Sequence, residues 1–138
     1  VGFPGETEEE FAVTREFLEK VHFYEMHVFK YSKRAGTRAA VMPDQVPEPV
    51  KAARSDVLLE LEKRMSREYR ERFIGTSQEI LLEEPVTIDG REWAVGHTRQ
   101  YVRAAVPLSL AGDLSRGQMV TAHIDGLLDD ETLYAENI

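Results

Sequence analysis

The stretch HVFKYSKRAGTRAA, His27 to Ala40, sets a short apolar run directly against a loop dense in cations and containing Gly36. In an extended segment Met26 and Val28 point one way and His27, Phe29 and Tyr31 the other, and neither set is cleanly polar. This pattern predicts a strand over Met26 to Tyr31 that is covered on both faces, as strands of parallel sheets are. Loops that leave such strands are where α/β proteins place ligands. Upstream, VGFPGETEEEF opens with the stub of a strand and turns through Gly2, Pro4 and Gly5 into a helix. Thr7 and Glu10 have the Thr-x-x-Glu spacing of a capping box, in which each side chain satisfies an orphan backbone N–H. Phe11, Thr14, Leu18 and Val21 recur at helical spacing as one buried stripe. Strand, helix and strand make a βαβ unit.

Downstream, Ser32 to Met42 carries too many turn formers and cations to be regular, and PDQVPEP (Pro43 to Pro49) is a stiff linker. Pro47 and Pro49 can open a helix but not sit inside one. Val50, Ala53, Val57, Leu61, Met65 and Tyr69 follow at spacings of three and four, which predicts one apolar seam on a helix of about 25 residues, roughly 37 Å long. Beyond Phe73 the pattern becomes β-like. Ile80 to Glu84, Thr87 to Ile88, Glu92 to Val95, Tyr101 to Val106, Met119 to Ile124 and Thr132 to Ala135 are the candidate strands, and Asp89-Gly90 is a tight-hairpin signal. So many short strands in about 65 residues fit a small closed barrel of the oligonucleotide-binding type.

Composition narrows the chemistry. The 138 residues contain no cysteine, so neither disulfides nor thiolate-held zinc or iron–sulfur clusters can be built from them alone. No run approaches the ~18 apolar residues of a membrane span, and Val1 is preceded by neither methionine nor a basic leader, so a cytoplasmic piece of a larger protein is expected. A net charge of −8 disfavours indiscriminate nucleic-acid binding. Residues 1–47 hold 6 Lys+Arg against 8 Asp+Glu, residues 48–72 hold 7 against 6, and residues 73–138 hold 4 against 11. An anionic partner would therefore meet Lys30 to Arg38, the following helix, or a few arginines of the β region.

Individual motifs leave alternatives open. GFPGET lacks the Walker lysine and does not match G-x-G-x-x-G, so it reads either as a plain strand-to-helix turn or as backbone lining a cofactor pocket. YSKRAGTRAA, with Arg34 and Arg38, reads either as a solvated basic loop or as a grip for phosphate or nucleotide beside Tyr31. His22, His27, His97 and His123 have no metal-ligand spacing and no nucleophile paired with them, which points to no metal site and no histidine-based catalytic residue. In GHTRQYVRAAV, His97, Arg99, Tyr101 and Arg103 alternate along one strand-like run, and a shared face of two arginines and an aromatic can hold phosphate and stack a base.

The order of these parts is more specific than any one of them. GFPGET with a capped helix, then HVFKYSKRAGTRAA, then MPDQVPEPVKAARSDVLLEL and a small β region, resembles the C-terminal part of the radical S-adenosylmethionine methylthiotransferases, over essentially all of the chain. The resemblance implies an α/β piece of a radical-SAM (β/α) barrel over 1–42, a linker and long helix over 43–72, and an OB-like RNA-binding barrel, the TRAM domain, over 73–138. It implies S-adenosylmethionine and two [4Fe-4S] clusters in the full-length parent, with cluster ligands supplied by cysteines upstream. Gly2, Phe3, Pro4, Gly5 and Glu6 match the family's strand-end motif beside S-adenosylmethionine, and Phe29 and Tyr31 match the neighbouring strand end. HVF ahead of YSKRAGT looks most like the branch that converts N6-threonylcarbamoyladenosine in tRNA to its 2-methylthio form, although Lys30 and Arg38 stand where the family commonly has proline.

The expected function is thus that of the C-terminal part of a transferase in tRNA modification. The piece itself would be inactive and would bind tRNA through Arg34, Arg38, Arg99, Tyr101 and Arg103. The rivals are a non-catalytic RNA-binding or adaptor module, and a methylthiotransferase acting on isopentenyladenosine in tRNA or on ribosomal protein. An exposed sheet edge on the truncated βαβ piece would invite a homo-oligomer.

Overall fold

The computed structural model describes residues 1–114 and 117–138. The chain divides into two compact units, residues 1–66 and 67–138, the division falling inside one helix. The elements are α1 (Glu8–Val21), α2 (Glu48–Glu71), β1 (Ser77–Ile88), β2 (Arg91–Thr98), β3 (Arg103–Pro107), β4 (Gln118–His123), β5 (Gly126–Leu127) and β6 (Leu133–Tyr134).

In the first unit α1 begins where its capping box requires. The Thr7 hydroxyl accepts from the Glu10 N–H at 3.2 Å, and the Glu10 carboxylate accepts from the Thr7 N–H at 3.0 Å. The expected stripe is only partly inside: Phe11 is buried and Leu18 half-buried, whereas Thr14 and Val21 are exposed. No strand forms over Met26–Tyr31 or at Val1, contrary to the βαβ expectation. Two backbone bonds remain, Val1 to the Phe29 carbonyl and Tyr31 to the Val1 carbonyl, both 2.7 Å. Their stepping is that of a parallel pair. Met26 and Val28 still pack on the core of Phe11, Leu58, Leu61 and Met65.

The α2 seam is also rotated from the expected one. Leu61 and Met65 are buried, but Val50, Ala53 and Val57 are exposed, and Arg54, Ser55 and Leu58 take the interior instead. The cause is an arginine with enough partners to be buried. Arg54, 6% exposed, donates from Nη1 to the Glu6 carbonyl (3.0 Å) and Glu6 carboxylate (2.7 Å) and from Nη2 to Glu8 (3.1 Å). Its guanidinium lies 5.4 Å from the centroid of the Phe11 ring. Burial works against the charge, yet the hydrogen bonds it donates to Glu8 and Glu6 prevail and raise its pKa above the usual arginine value.

The second unit is a six-stranded sheet in the order β4-β1-β2-β3-β6-β5, antiparallel except for the β3–β6 pair. Its two edges, β4 and β5, are successive parts of one run joined by Ile124 and Asp125. Ile124 donates to the Thr76 carbonyl ahead of β1, and Asp125 to the Tyr134 carbonyl in β6. The run therefore hydrogen-bonds to the strands at both ends of the sheet order, through Ile124 and Asp125. Ile80, Leu82, Val102, Val106, Ile124 and Leu133 are fully enclosed, and a second cluster of Trp93, Val95 and Ala105 packs with Val86, Ile88, Leu128 and Tyr134.

Strand limits differ from expectation for local reasons. β1 is one strand through Pro85 rather than two, because β4 pairs with it only as far as Leu82, and a proline is tolerated once one neighbour has ended. Asp89 and Gly90 have φ of 49° and 78°, as a type I′ turn needs. The run Arg99–Tyr101 is not strand at all. It turns between β2 and β3, held by Thr98 N–H to the Val102 carbonyl (2.9 Å) and Val102 N–H to the Thr98 hydroxyl (3.2 Å).

β1 is bent at a bulge between Leu82 and Glu84, opposite Gly96. A Cβ at Gly96 would lie 1.8 Å from the Leu81 carbonyl oxygen and 2.8 Å from the Leu82 Cα. Backbone cannot retreat as a flexible side chain can. We expect Gly96→Ala to destabilise the β unit by about 3 kcal/mol, read as a lowered denaturant midpoint for the Trp93 fluorescence transition. In the first unit, Arg54→Ala leaves the half-buried Glu6 carboxylate without its cation. A loss of about 3 kcal/mol is expected in chemical unfolding followed by circular dichroism, with Arg54→Met costing less because it keeps the packing on Phe11.

Candidate functional site

The turn at Gly2–Glu6 is shaped by glycine geometry. Gly2 has φ of 75°, and a Cβ there would overlap the Lys51 side chain, its Cγ only 2.1 Å away. The Gly5 N–H donates to the Asp44 carbonyl, and the Glu6 N–H closes on the Phe3 carbonyl, each at 2.9 Å. The Glu6 carboxylate faces inward, accepting from the Gly2 N–H (3.0 Å) as well as from Arg54.

Of the residues matched to the cofactor motif, the structure brings Phe3 and Tyr31 together as an edge-to-face pair at 5.4 Å. Lys51 joins them: its ammonium donates to the Tyr31 carbonyl at 3.0 Å and lies 5.9 Å from the Tyr31 ring centroid. Pro4 is buried. Phe29 is apart from this corner, strongly exposed beside His27 and lining an apolar recess with Val1, Leu18, Phe23 and Met26. Sequence reasoning did not find the grip of Lys51 and Arg54 on this turn. Their helical spacing of three was the available signal.

Of the candidate RNA-binding residues, Arg34 and Arg38 are exposed on the loop that the Thr37 hydroxyl ties to the Arg34 carbonyl (2.8 Å). Two nearby cations are matched by one acid. Lys30 and Lys51 both pair with Glu48, at 2.6 and 2.8 Å. Along α2, Arg64 pairs with Glu19, Arg67 pairs with Glu71 and Asp130, and Arg70 donates to the Glu131 carbonyl.

In the β unit, Arg99, Tyr101 and Arg103 reach one surface by a route the alternation argument did not anticipate. Arg103 is the cross-strand partner of His97, and directly paired residues share a face. Tyr101, in the turn, has φ of 64° and folds its ring back onto His97 at 4.6 Å and 14°. A left-handed conformation in a tyrosine costs of order 1 kcal/mol or more and is held by its surroundings, here the Thr98 hydrogen bonds. Arg99 pairs with Glu79 at 2.5 Å, His97 Nδ1 with Glu83 at 2.9 Å, and Arg103 donates to the Thr132 hydroxyl at 3.2 Å.

Among the described residues no group of three His, Asp or Glu side chains is placed to hold a metal, and no helix is long and apolar enough to cross a membrane. One group has a strongly displaced acidity. Hydrogen bonds from Lys30 and Lys51 bring the Glu48 carboxyl down to about 2 from the usual 4.5. Because the folded value lies below the unfolded one, the stabilisation from this pairing is complete above pH 4.5 and is lost as pH falls towards 2. A carboxyl-carbon NMR titration should give Glu48 a midpoint near 2, returning towards 4.5 in the Lys30→Met/Lys51→Met protein. A midpoint of 4.5 in the parent chain would show that the bridge does not persist in solution.

No protein-family model matches the chain. Curated relatives do. The chain is 54% identical over 83 residues to the tRNA-2-methylthio-N(6)-dimethylallyladenosine synthase of Acetivibrio thermocellus, a match covering 60% of this chain and 17% of the relative. It is 50% identical over 84 residues to the protein of the same name from Thermobifida fusca, covering 61% and 17%. It is 45% identical over 104 residues to the threonylcarbamoyladenosine tRNA methylthiotransferase MtaB of Bacillus subtilis, covering 75% and 23%. The matched segments are thus about a fifth of the length of these relatives. Over these residues the chain is similar to tRNA methylthiotransferases, which is consistent with the radical S-adenosylmethionine methylthiotransferase family that its sequence resembles.

Proposed function

We propose that this chain is the C-terminal part of a tRNA methylthiotransferase and that its β unit contributes tRNA binding to that enzyme. Residues 1–42 would close the radical domain, 43–72 connect, and 73–138 form the TRAM barrel. The observation that supports a nucleic-acid role most directly is the exposed Tyr101 ring, held stacked on His97 beside Arg103. An aromatic kept in a strained conformation at the surface, next to a guanidinium, can stack a base and hold its phosphate.

S-adenosylmethionine, when bound in the parent, would supply the radical that opens adenosine C2 to sulfur insertion. Within this chain the residues that could border it are Phe3 and Tyr31, whose rings meet at the exposed side of the Gly2–Glu6 turn. Glu6 is engaged by Gly2 and Arg54, so its part is to hold the turn rather than to bind the cofactor directly. The chain has no cysteine, so iron–sulfur ligands would come from elsewhere in the parent.

HVF and YSKRAGT support N6-threonylcarbamoyladenosine as the modified nucleoside, as does the similarity to the Bacillus subtilis protein over 75% of the chain. A second reading, dimethylallyladenosine, is supported by the relatives named for that nucleoside. Nucleoside analysis of tRNA from a gene-deletion strain separates them. Loss of 2-methylthio-N6-threonylcarbamoyladenosine is expected; loss of the dimethylallyl product instead would select the second reading, and no change in either would reject both. For the β unit, Arg99→Ala/Arg103→Ala should weaken tRNA binding several-fold and flatten its salt dependence by up to about two phosphate contacts. An unchanged salt slope would remove both arginines from the interface.

A further inference from the structure

Strand register lines up one outward row across four strands of the β unit. Met119 of β4 stands opposite Leu81 of β1, Leu81 opposite His97 of β2, and His97 opposite Arg103 of β3. Leu81 and Met119 lie within the ladder yet remain 41% and 57% exposed, and Tyr101, on His97, is 74% exposed. An apolar pair and a stacked aromatic thus form one continuous surface. Its charges are mostly answered from within: Glu79 holds Arg99 and Glu83 holds His97, while Arg103 makes no ion pair among the described residues.

We propose that this row is a stacking platform for unpaired bases, so that the β unit selects loop nucleotides of RNA over helical stems. The inference rests on the tRNA-binding reading above and names the part of the RNA that is met. A duplex hides its base faces and offers a phosphate rail, which needs several unmatched cations to follow it. Among the described residues this face has one such guanidinium, and it also carries the carboxylates of Glu79 and Glu83, which repel a rail of phosphates. An unpaired base presents a π face to any flat or apolar surface, whatever its sequence. One base fits over Leu81 and Met119, a neighbour over Tyr101, and Arg103 meets a phosphate next to them.

The test is fluorescence anisotropy on the whole chain with three probes: tRNA, an unstructured oligoribonucleotide, and a blunt RNA duplex of the same length. The oligonucleotide should bind at least about tenfold tighter than the duplex, and Tyr101→Ala or Leu81→Ser/Met119→Ser should each weaken it about tenfold. Met119→Ala alone, at the more exposed position, should give a smaller loss in the same direction with an unchanged unfolding midpoint. If tRNA binds but the duplex competes as well as the single strand, or the Leu81 and Met119 variants bind undiminished, the platform is wrong and the RNA-binding reading stands. If none of the three probes binds, the RNA-binding reading itself is overturned.

Discussion

The β unit depends on the close approach of Gly96 to the backbone of β1. No residue with a Cβ fits there, since the Leu81 carbonyl occupies the space. That contact sits at the bulge, where β1 bends and β4 stops pairing with it. It also holds Leu81 opposite His97, and a slip of one residue would send the outward row inside and the core residues Ile80 and Leu82 out. The bend and the alignment of the outward face are therefore tied to the same contact.

The first unit has its own controlling contact, the buried Arg54. Two acidic residues and a carbonyl surround its guanidinium, and all three come from the segment Glu6–Glu8 at the start of α1. A buried ion pair adds little net stability over an apolar substitute, but it is directional, and it penalises arrangements that leave either partner alone. Here it turns α2 so that Leu58, Leu61 and Met65 face Phe11, and it leaves Val50 and Val57 outside. The same carboxylate fixes the Gly2–Glu6 turn, so the geometry of the cofactor-motif residues and the rotation of the helix are coupled through one side chain.

Electrostatics separate the two candidate sites. The cations of α2 are largely taken up by neighbouring acids and carbonyls, so a positive count in the sequence overstates the charge offered to a partner. On the β face the pairing of Arg99 with Glu79 has the same effect. What distinguishes that face is its exposed apolar and aromatic area, with Arg103 at one end.

Much of this was legible along the chain. The capping box located the start of α1, Asp89-Gly90 located a hairpin, and the change from helical to alternating periodicity after Phe73 separated the β region, because each is a local consequence of backbone geometry. GFPGET, HVFKYSKRAGTRAA and the order of parts carried the family resemblance. Other features depended on contacts between residues distant in sequence. Met26–Tyr31 has strand-like composition, but among the described residues its backbone bonds go to Val1 alone and it forms no strand. The α2 seam was misplaced because an arginine reads as a surface residue until its carboxylate partners, more than forty positions earlier, are brought to it. Alternation alone groups His97, Arg99, Tyr101 and Arg103 on one face of a strand. Pairing across a turn, with Tyr101 folded back, is what places His97, Tyr101 and Arg103 together, and register adds Leu81 and Met119 beside them. Composition and local pattern determined the two helices, the hairpin, the β character after Phe73 and what family the chain resembles; only tertiary structure decided whether Met26–Tyr31 forms a strand, which charges remain unmatched and which side chains share a surface, because these are set by neighbours that the linear order keeps apart.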